Sequence, residues 1–145
     1  MPLISQINLF YNSYFIIEMI KHYLYLKRLA AKGRGVFTNE IIAANVIIEK
    51  SPVIVMSAEE RTLIDKTLLH DYIFEWGVHK EKCCMALGWV SLYNHSYESN
   101  CEYFMNFDEQ TIQIKTVRKI AKGEELTINY NGDWNDDKKV WFRAE

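Results

Sequence analysis

Cysteine is scarce in this chain, with Cys83, Cys84 and Cys101 the three examples among 145 residues. An odd, sparse count argues against a disulfide framework and suits a reducing compartment. Adjacent Cys83 and Cys84 do not make the C-x-x-C knuckle that structural zinc sites favour, so no metal is expected, even with His95 added to the set. Two prolines and six glycines build no linker. With no internal repeat or low-complexity run either, a single domain is expected. There is no broad basic stripe of the kind that duplex-binding proteins carry, so nucleic acid is not expected as a direct partner. Charge is missing altogether before Glu18. Without a basic n-region or a small-residue cleavage site, that stretch is not a signal peptide. Ser5, Gln6, Asn8, Asn12 and Ser13 interrupt it, making it a poor membrane span, and no membrane partner is expected. Residues 1–18 read as an N-terminal extension, with Met19 an alternative start, and residues 19–142 as the domain.

What is present is an ordinary globular composition, 49% hydrophobic and 25% charged. A chain of this size buries roughly two-thirds of its unfolded surface. The net charge of −2 hides a segregation. Lys21, Lys27, Arg28, Lys32 and Arg34 fall in one acid-free stretch, and Glu124, Glu125, Asp133, Asp136 and Asp137 in one base-free stretch. Two solvated surfaces would produce this, and so would one face for an anion and another for a cation.

Residues 23–29 suit an early strand, and Lys32-Gly33-Arg34-Gly35 a loop. Residues 45–49 and 52–56 read as two short β-branched strands broken at Ser51-Pro52. Ser57-Ala58-Glu59-Glu60 matches a helix capping box. Leu63, Ile64, Thr67, Leu68, Asp71, Tyr72 and Glu75 follow at helical spacing, predicting one helix over about 58–76 with Gly77 at its end. Alternation on either side of Asp108-Glu109-Gln110 predicts a hairpin, and residues 125–130 a last strand. The fold class is mostly β, a β-rich α+β arrangement of short strands with one helix.

Three stretches carry the candidate chemistry. Gly33-Arg34-Gly35 lets backbone approach a ligand, and the flanking Lys32 and Arg34 can hold a carboxylate. The stretch from Ser91 to Cys101 packs Asn94, His95, Ser96 and Asn100 together, which by itself reads equally as a polar turn-rich loop. Gly123-Glu124-Glu125-Leu126-Thr127-Ile128-Asn129-Tyr130 reads as a strand ending in a tyrosine.

Taken together and in order, these resemble the SET domain: a G-x-G loop, an N-H-S-x-x-x-N element and a G-E-E-L-T-x-x-Y element, over residues 21–142. The resemblance implies the SET fold of short curved sheets with a C-terminal pseudoknot, and a methyltransferase that moves methyl groups from S-adenosyl-L-methionine to a lysine amine of a protein, histone tails among the candidates. It implies cofactor binding by Lys32, Gly33, Arg34, Gly35, Asn94, His95 and Trp141, with Trp141 or Phe142 stacking on the adenine. Tyr130 is the implied active-site tyrosine, and Tyr93, Ile128, Asp133 and Trp134 are implied on the substrate side. Ile128 stands two before the tyrosine, where the family often has Phe or Tyr. No Tyr-x-Gly element precedes Gly77, and no post-SET zinc knuckle follows, as in zinc-free bacterial and viral members. A lysine-containing protein is the implied partner, and a homodimer is left open. The expected location is cytoplasmic, or a host nucleus for an exported or viral protein. The alternative is a catalytically silent SET module that binds the cofactor or a basic peptide.

Overall fold

The computed structural model describes residues 19–140. Alternation of apolar and polar side chains is the local reason for two strands within that range, Thr111–Thr116 and Glu125–Ile128. Ile112, Ile114 and Thr116 are fully buried, while Thr111, Gln113 and Lys115 between them are not. In chain order the strands are β1 (Leu24–Leu29), β2 (Gly33–Thr38), β3 (Ile47–Met56), β4 (Phe74–Trp76), β5 (Lys82–Ala86), β6 (Asn94–His95), β7 (Cys101–Asn106), β8 (Thr111–Thr116) and β9 (Glu125–Ile128). They form two sheets, ordered β1-β2-β9-β6 and β4-β5-β3-β8-β7. Val36, Ile48, Tyr93, Ile112, Ile114, Ile120, Leu126 and Ile128 form the heart of the core shared by the sheets. The mostly β class is as expected, and the β7–β8 hairpin pairs Cys101 with Thr116 through to Asn106 with Thr111.

Three expectations of local structure are corrected. The helix is one short segment, α1 (Ala58–Ile64), rather than a helix through residue 76. Ser57 and Glu60 do make the reciprocal capping box. The helix then stops, because α1 buries none of its residues and so gains little from tertiary packing. Thr67 caps a separate 3₁₀ turn at Leu68–Tyr72, accepting from the Leu69 amide. Phe74–Trp76 leaves in extended form to pair with β5, and Gly77, at φ 93°, follows a strand instead of a helix. The apolar spacing that suggested one long helix is not a core stripe, since Leu63, Leu68 and Leu69 are exposed.

Second, residues 47–56 form one strand rather than two. β3 pairs with β8 as far as Pro52 and with β5 from Val53 onward. Pro52 sits at this change of partner, where its carbonyl accepts from the Leu87 amide and no ladder donor is missed. Third, Gly33 and Gly35 belong to β2 rather than to a loop. Gly33 pairs with Leu29 and Gly35 with Lys27.

The chain crosses itself near its described end. β6 lies parallel to β9, Asn94 beside Thr127 and His95 beside Ile128. On the other side of β9, Asn100 accepts from the Thr127 amide and donates to the Glu125 carbonyl. The Ser96 amide reaches the Ile128 carbonyl and the Ser99 amide the Trp134 carbonyl. Segment 125–134 is thereby held within segment 94–101, which is the pseudoknot. Among the described residues no helix is long and apolar enough to cross a membrane.

Burial separates what matters from what does not. Ile114→Ala is expected to cost about 2–5 kcal/mol through the cavity it leaves. Leu63→Ala is expected to stay within about 0.5 kcal/mol. Urea unfolding of the two variants checks both, and a large loss at Leu63 would restore α1 to the core.

Candidate active site

A cleft of about 570 Å³ opens between the β1–β2 hairpin and the segments that precede β4 and β6. The hairpin wall consists of Arg28, Leu29, Ala30, Lys32, Gly33 and Arg34, and the facing wall of Asp71, Tyr72, Ser91, Leu92, Asn94 and Tyr130. The turn enters β2 at Gly33 with φ 77°, a conformation L side chains rarely adopt. Gly35 leaves room for two side-chain ends. A Cβ there would stand 2.6 Å from Glu125 Oε1 and 3.0 Å from Asn94 Nδ2.

Those two atoms form the joint between hairpin and crossing. Asn94 Nδ2 donates to Glu125 Oε1 at 2.7 Å and to the Arg34 carbonyl at 3.2 Å. One amide therefore ties β6 to β9 and to the hairpin together.

Tyr130 stands two residues beyond β9. Its amide donates to His95 Nδ1 at 3.2 Å, so Nδ1 is an acceptor and the proton of the neutral ring sits on Nε2. Burial, and then the positive charge of Lys32, push the His95 pKa down, favouring that neutral ring. The Tyr130 hydroxyl donates to the Tyr93 carbonyl at 3.0 Å. Burial, and then Tyr72 and Asp71, push the Tyr130 pKa up to about 12. At neutral pH it is a phenol with its proton committed to a fixed carbonyl.

The cleft thus gathers Lys32, Gly33, Arg34, Asn94 and Tyr130 from the residues singled out in the sequence. Gly35 and His95 stand behind its walls. Tyr93 and Ile128 are fully buried in the core, so their side chains do not line the cleft, and Tyr93 serves it through its carbonyl. Asp133 and Trp134 are exposed and lie beyond Tyr130, off the walls. Trp141 and Phe142 lie outside the described residues. Cys83, Cys84 and Cys101 are buried free thiols. Asp71, Tyr72, Ser91 and Leu92 were not singled out as cleft residues. Ser91 opened the polar segment, which was a usable signal. Asp71 and Tyr72 had been placed within a helix and gave none.

Comparison with known proteins agrees with this geometry. The SET domain family model matches residues 33–131. A histone-lysine N-methyltransferase of Schizosaccharomyces pombe, described as specific for lysine 37 of H3, is 35% identical over 130 residues, covering 89% of this chain and 83% of that protein. The histone-lysine N-methyltransferase SETD7 of Halocynthia roretzi is 30% identical over 78 residues, 47% of this chain and 20% of that protein. A crystal structure of a Plasmodium falciparum protein assigned as a histone methyltransferase superposes with a TM-score of 0.60 at 30% identity, covering 79% of this chain and 98% of that one. The chain belongs to the SET-domain family, and within it is a protein-lysine methyltransferase.

The depressed His95 pKa has a sign that can be checked. A histidine whose native pKa lies below its unfolded value of about 6.5 contributes stability above that pH, and the contribution is lost as pH falls below it. The wild-type protein is expected to lose more stability than His95→Gln between pH 7.5 and 5.5, measured by urea unfolding. Equal losses would show that His95 is not held neutral.

Proposed function

We propose that this cleft holds S-adenosyl-L-methionine and that Tyr130 presents to it a lysine side chain of a histone. SET methyltransferases use this methyl donor in general, and the residues here suit it. The volume lies within the usual range for cofactor clefts. Arg28, Lys32 and Arg34 supply cations for a carboxylate, and the backbone around Gly33 carries no side chain to obstruct approach. The observation that carries the proposal is Tyr130, a half-buried phenol on the wall of a cleft that it shares with the G-x-G hairpin and Asn94.

The bound cofactor would supply an electrophilic methyl group on a sulfonium. The chain's own part is to deliver a neutral amine in line with it. Free lysine has a pKa near 10.4, so only about 0.04% is neutral at pH 7. A cleft bearing Arg28, Lys32 and Arg34 disfavours a further cation by repulsion and so lowers that pKa. Tyr130 is too weak an acid at neutral pH to serve as a phenolate base. Its hydrogen is given to the Tyr93 carbonyl, and its oxygen lone pairs can accept from the amine N–H and turn the nitrogen lone pair. Most of the rate then comes from alignment. A silent module would have no use for a phenol fixed in this way, and that reading is not favoured.

The relatives named as histone-lysine methyltransferases support a basic histone tail as acceptor. The acidic run is more divided than its sequence suggests. Glu124 is engaged with Arg118 and Asn100, and Glu125 with Asn94. Asp133 and Asp137 are exposed, and Asp136 is half-buried with its carboxylate accepting from the Lys138 amide.

Tritiated S-adenosyl-L-methionine with purified protein and core histones is expected to label a lysine, and Tyr130→Phe to lower kcat by about 10²-fold. Labelling that is undiminished in Tyr130→Phe would overturn the role given to Tyr130. Neutralising Asp133, Asp136 and Asp137 together is expected to raise peptide KM several-fold at low salt and less at high salt. An unchanged low-salt KM would remove them from peptide attraction.

A further inference from the structure

The most enclosed acidic side chain in the described protein lies outside the cleft. Glu49 is 1% exposed, on strand β3, and a buried carboxyl is costly unless its hydrogen bonds repay the desolvation. The register of β3 against β8 shifts between Ile47 and Glu49. Such bulges re-aim a side chain.

What Glu49 meets is the segment that builds the far wall of the cleft. Its Oε1 accepts from the Trp89 amide at 2.6 Å and from Ser51 Oγ at 2.7 Å. Gly88 makes the approach feasible, for a Cβ there would stand 1.9 Å from Ser51 Oγ and 2.3 Å from Glu49 Oε1. The other carboxyl oxygen and the Tyr93 hydroxyl are both buried with no hydrogen-bond partner of their own among the described residues, and the two groups couple electrostatically. Glu49 therefore holds segment 89–93 by its first amide and couples to the Tyr93 hydroxyl at its last residue. Between those points Ser91 and Leu92 line the cleft. Ser91 Oγ donates to the Tyr72 carbonyl, which attaches the turn carrying Asp71 and Tyr72. At the far end the Tyr93 carbonyl receives the Tyr130 hydroxyl.

We infer that Glu49 is a positioning residue for methyl transfer: by holding segment 89–93 from beneath, it fixes the carbonyl that sets the Tyr130 hydroxyl and the wall that faces the G-x-G hairpin. The inference rests on the methyltransferase reading of the cleft. A carboxyl present only for stability would serve any part of the core equally. Apart from Ser51 on its own strand, the polar partners of this one all lie on the segment that carries the site.

The test compares Glu49→Ala, Glu49→Gln and Tyr93→Phe with Ser57→Ala, a destabilised control at the exposed helix cap. Each is assayed for kcat and peptide KM per folded molecule, and for hydrogen exchange at the amides of residues 89–93. Glu49→Ala is expected to lower kcat by about 10- to 10²-fold with KM within about twofold, and to speed exchange at those amides relative to β8. Glu49→Gln, which keeps an acceptor for the Trp89 amide, is expected to recover most of the kcat. Tyr93→Phe is expected to lower kcat several-fold, and it decides the matter if Glu49→Ala does not fold. Wild-type kcat per folded molecule in Glu49→Ala, or in Tyr93→Phe when that variant must decide, overturns the inference. So does a loss no greater than in Ser57→Ala at matched thermal stability. Wild-type protein that transfers no methyl overturns the functional reading instead. The exchange data then judge the tether alone: unchanged exchange in Glu49→Ala rejects it, and faster exchange at 89–93 upholds it.

Discussion

The structure depends on how the last described strand is gripped from both sides. β9 is only four residues long and pairs with β2 over two of them. A strand that short has little stability of its own. Its position is fixed because β6 runs parallel along one flank while Asn100, buried and bonded twice to the β9 backbone, holds the other. Leu126 and Ile128 then point into the core, and Tyr130 emerges two residues beyond the strand at the cleft. Each of these facts would change with a one-residue slip, because the strand period of two would turn Leu126 and Ile128 outward.

The same grip explains the electrostatics of the site. The hairpin wall is rich in cations, and the opposite wall offers Asp71, hydroxyls and an amide. Tyr130 lies where burial and a nearby carboxyl both keep its proton in place. His95 is kept neutral by burial and by Lys32, and uses Nδ1 to hold the backbone of Tyr130. The two rings are adjacent, with centroids 5.2 Å apart. The polar pair contributes fixed orientation rather than charge.

Much of the site was legible in the sequence because its members are clustered along the chain. Asn94 and His95 adjoin one another, Tyr130 stands two residues beyond its strand, and Lys32 to Gly35 form one continuous stretch. The β7–β8 hairpin was legible for the same local reason. The helix over 58–76 was misread because apolar spacing measures periodicity and not burial, and Leu63 and Leu68 repeat without a core to face. Glu49 looked like any strand residue. Its meaning depends on a bulge and on Gly88, and sequence shows neither. Tyr93 was assigned to the substrate, whereas its ring belongs to the core and only its carbonyl serves the cleft. Side-chain identity could not reveal a role played by the backbone.

The distance along the chain between the two walls has a corollary for folding. Gly33 lies near the start of the described residues and Tyr130 near their end, and their meeting requires β9 to lodge beside Asn94 and Asn100. Contacts between such remote segments form slowly, because closing a long loop costs entropy before any contact rewards it. Until β9 is lodged there, the hairpin wall has no phenol opposite it. The two walls of the cleft therefore come together in one step, when the crossing closes.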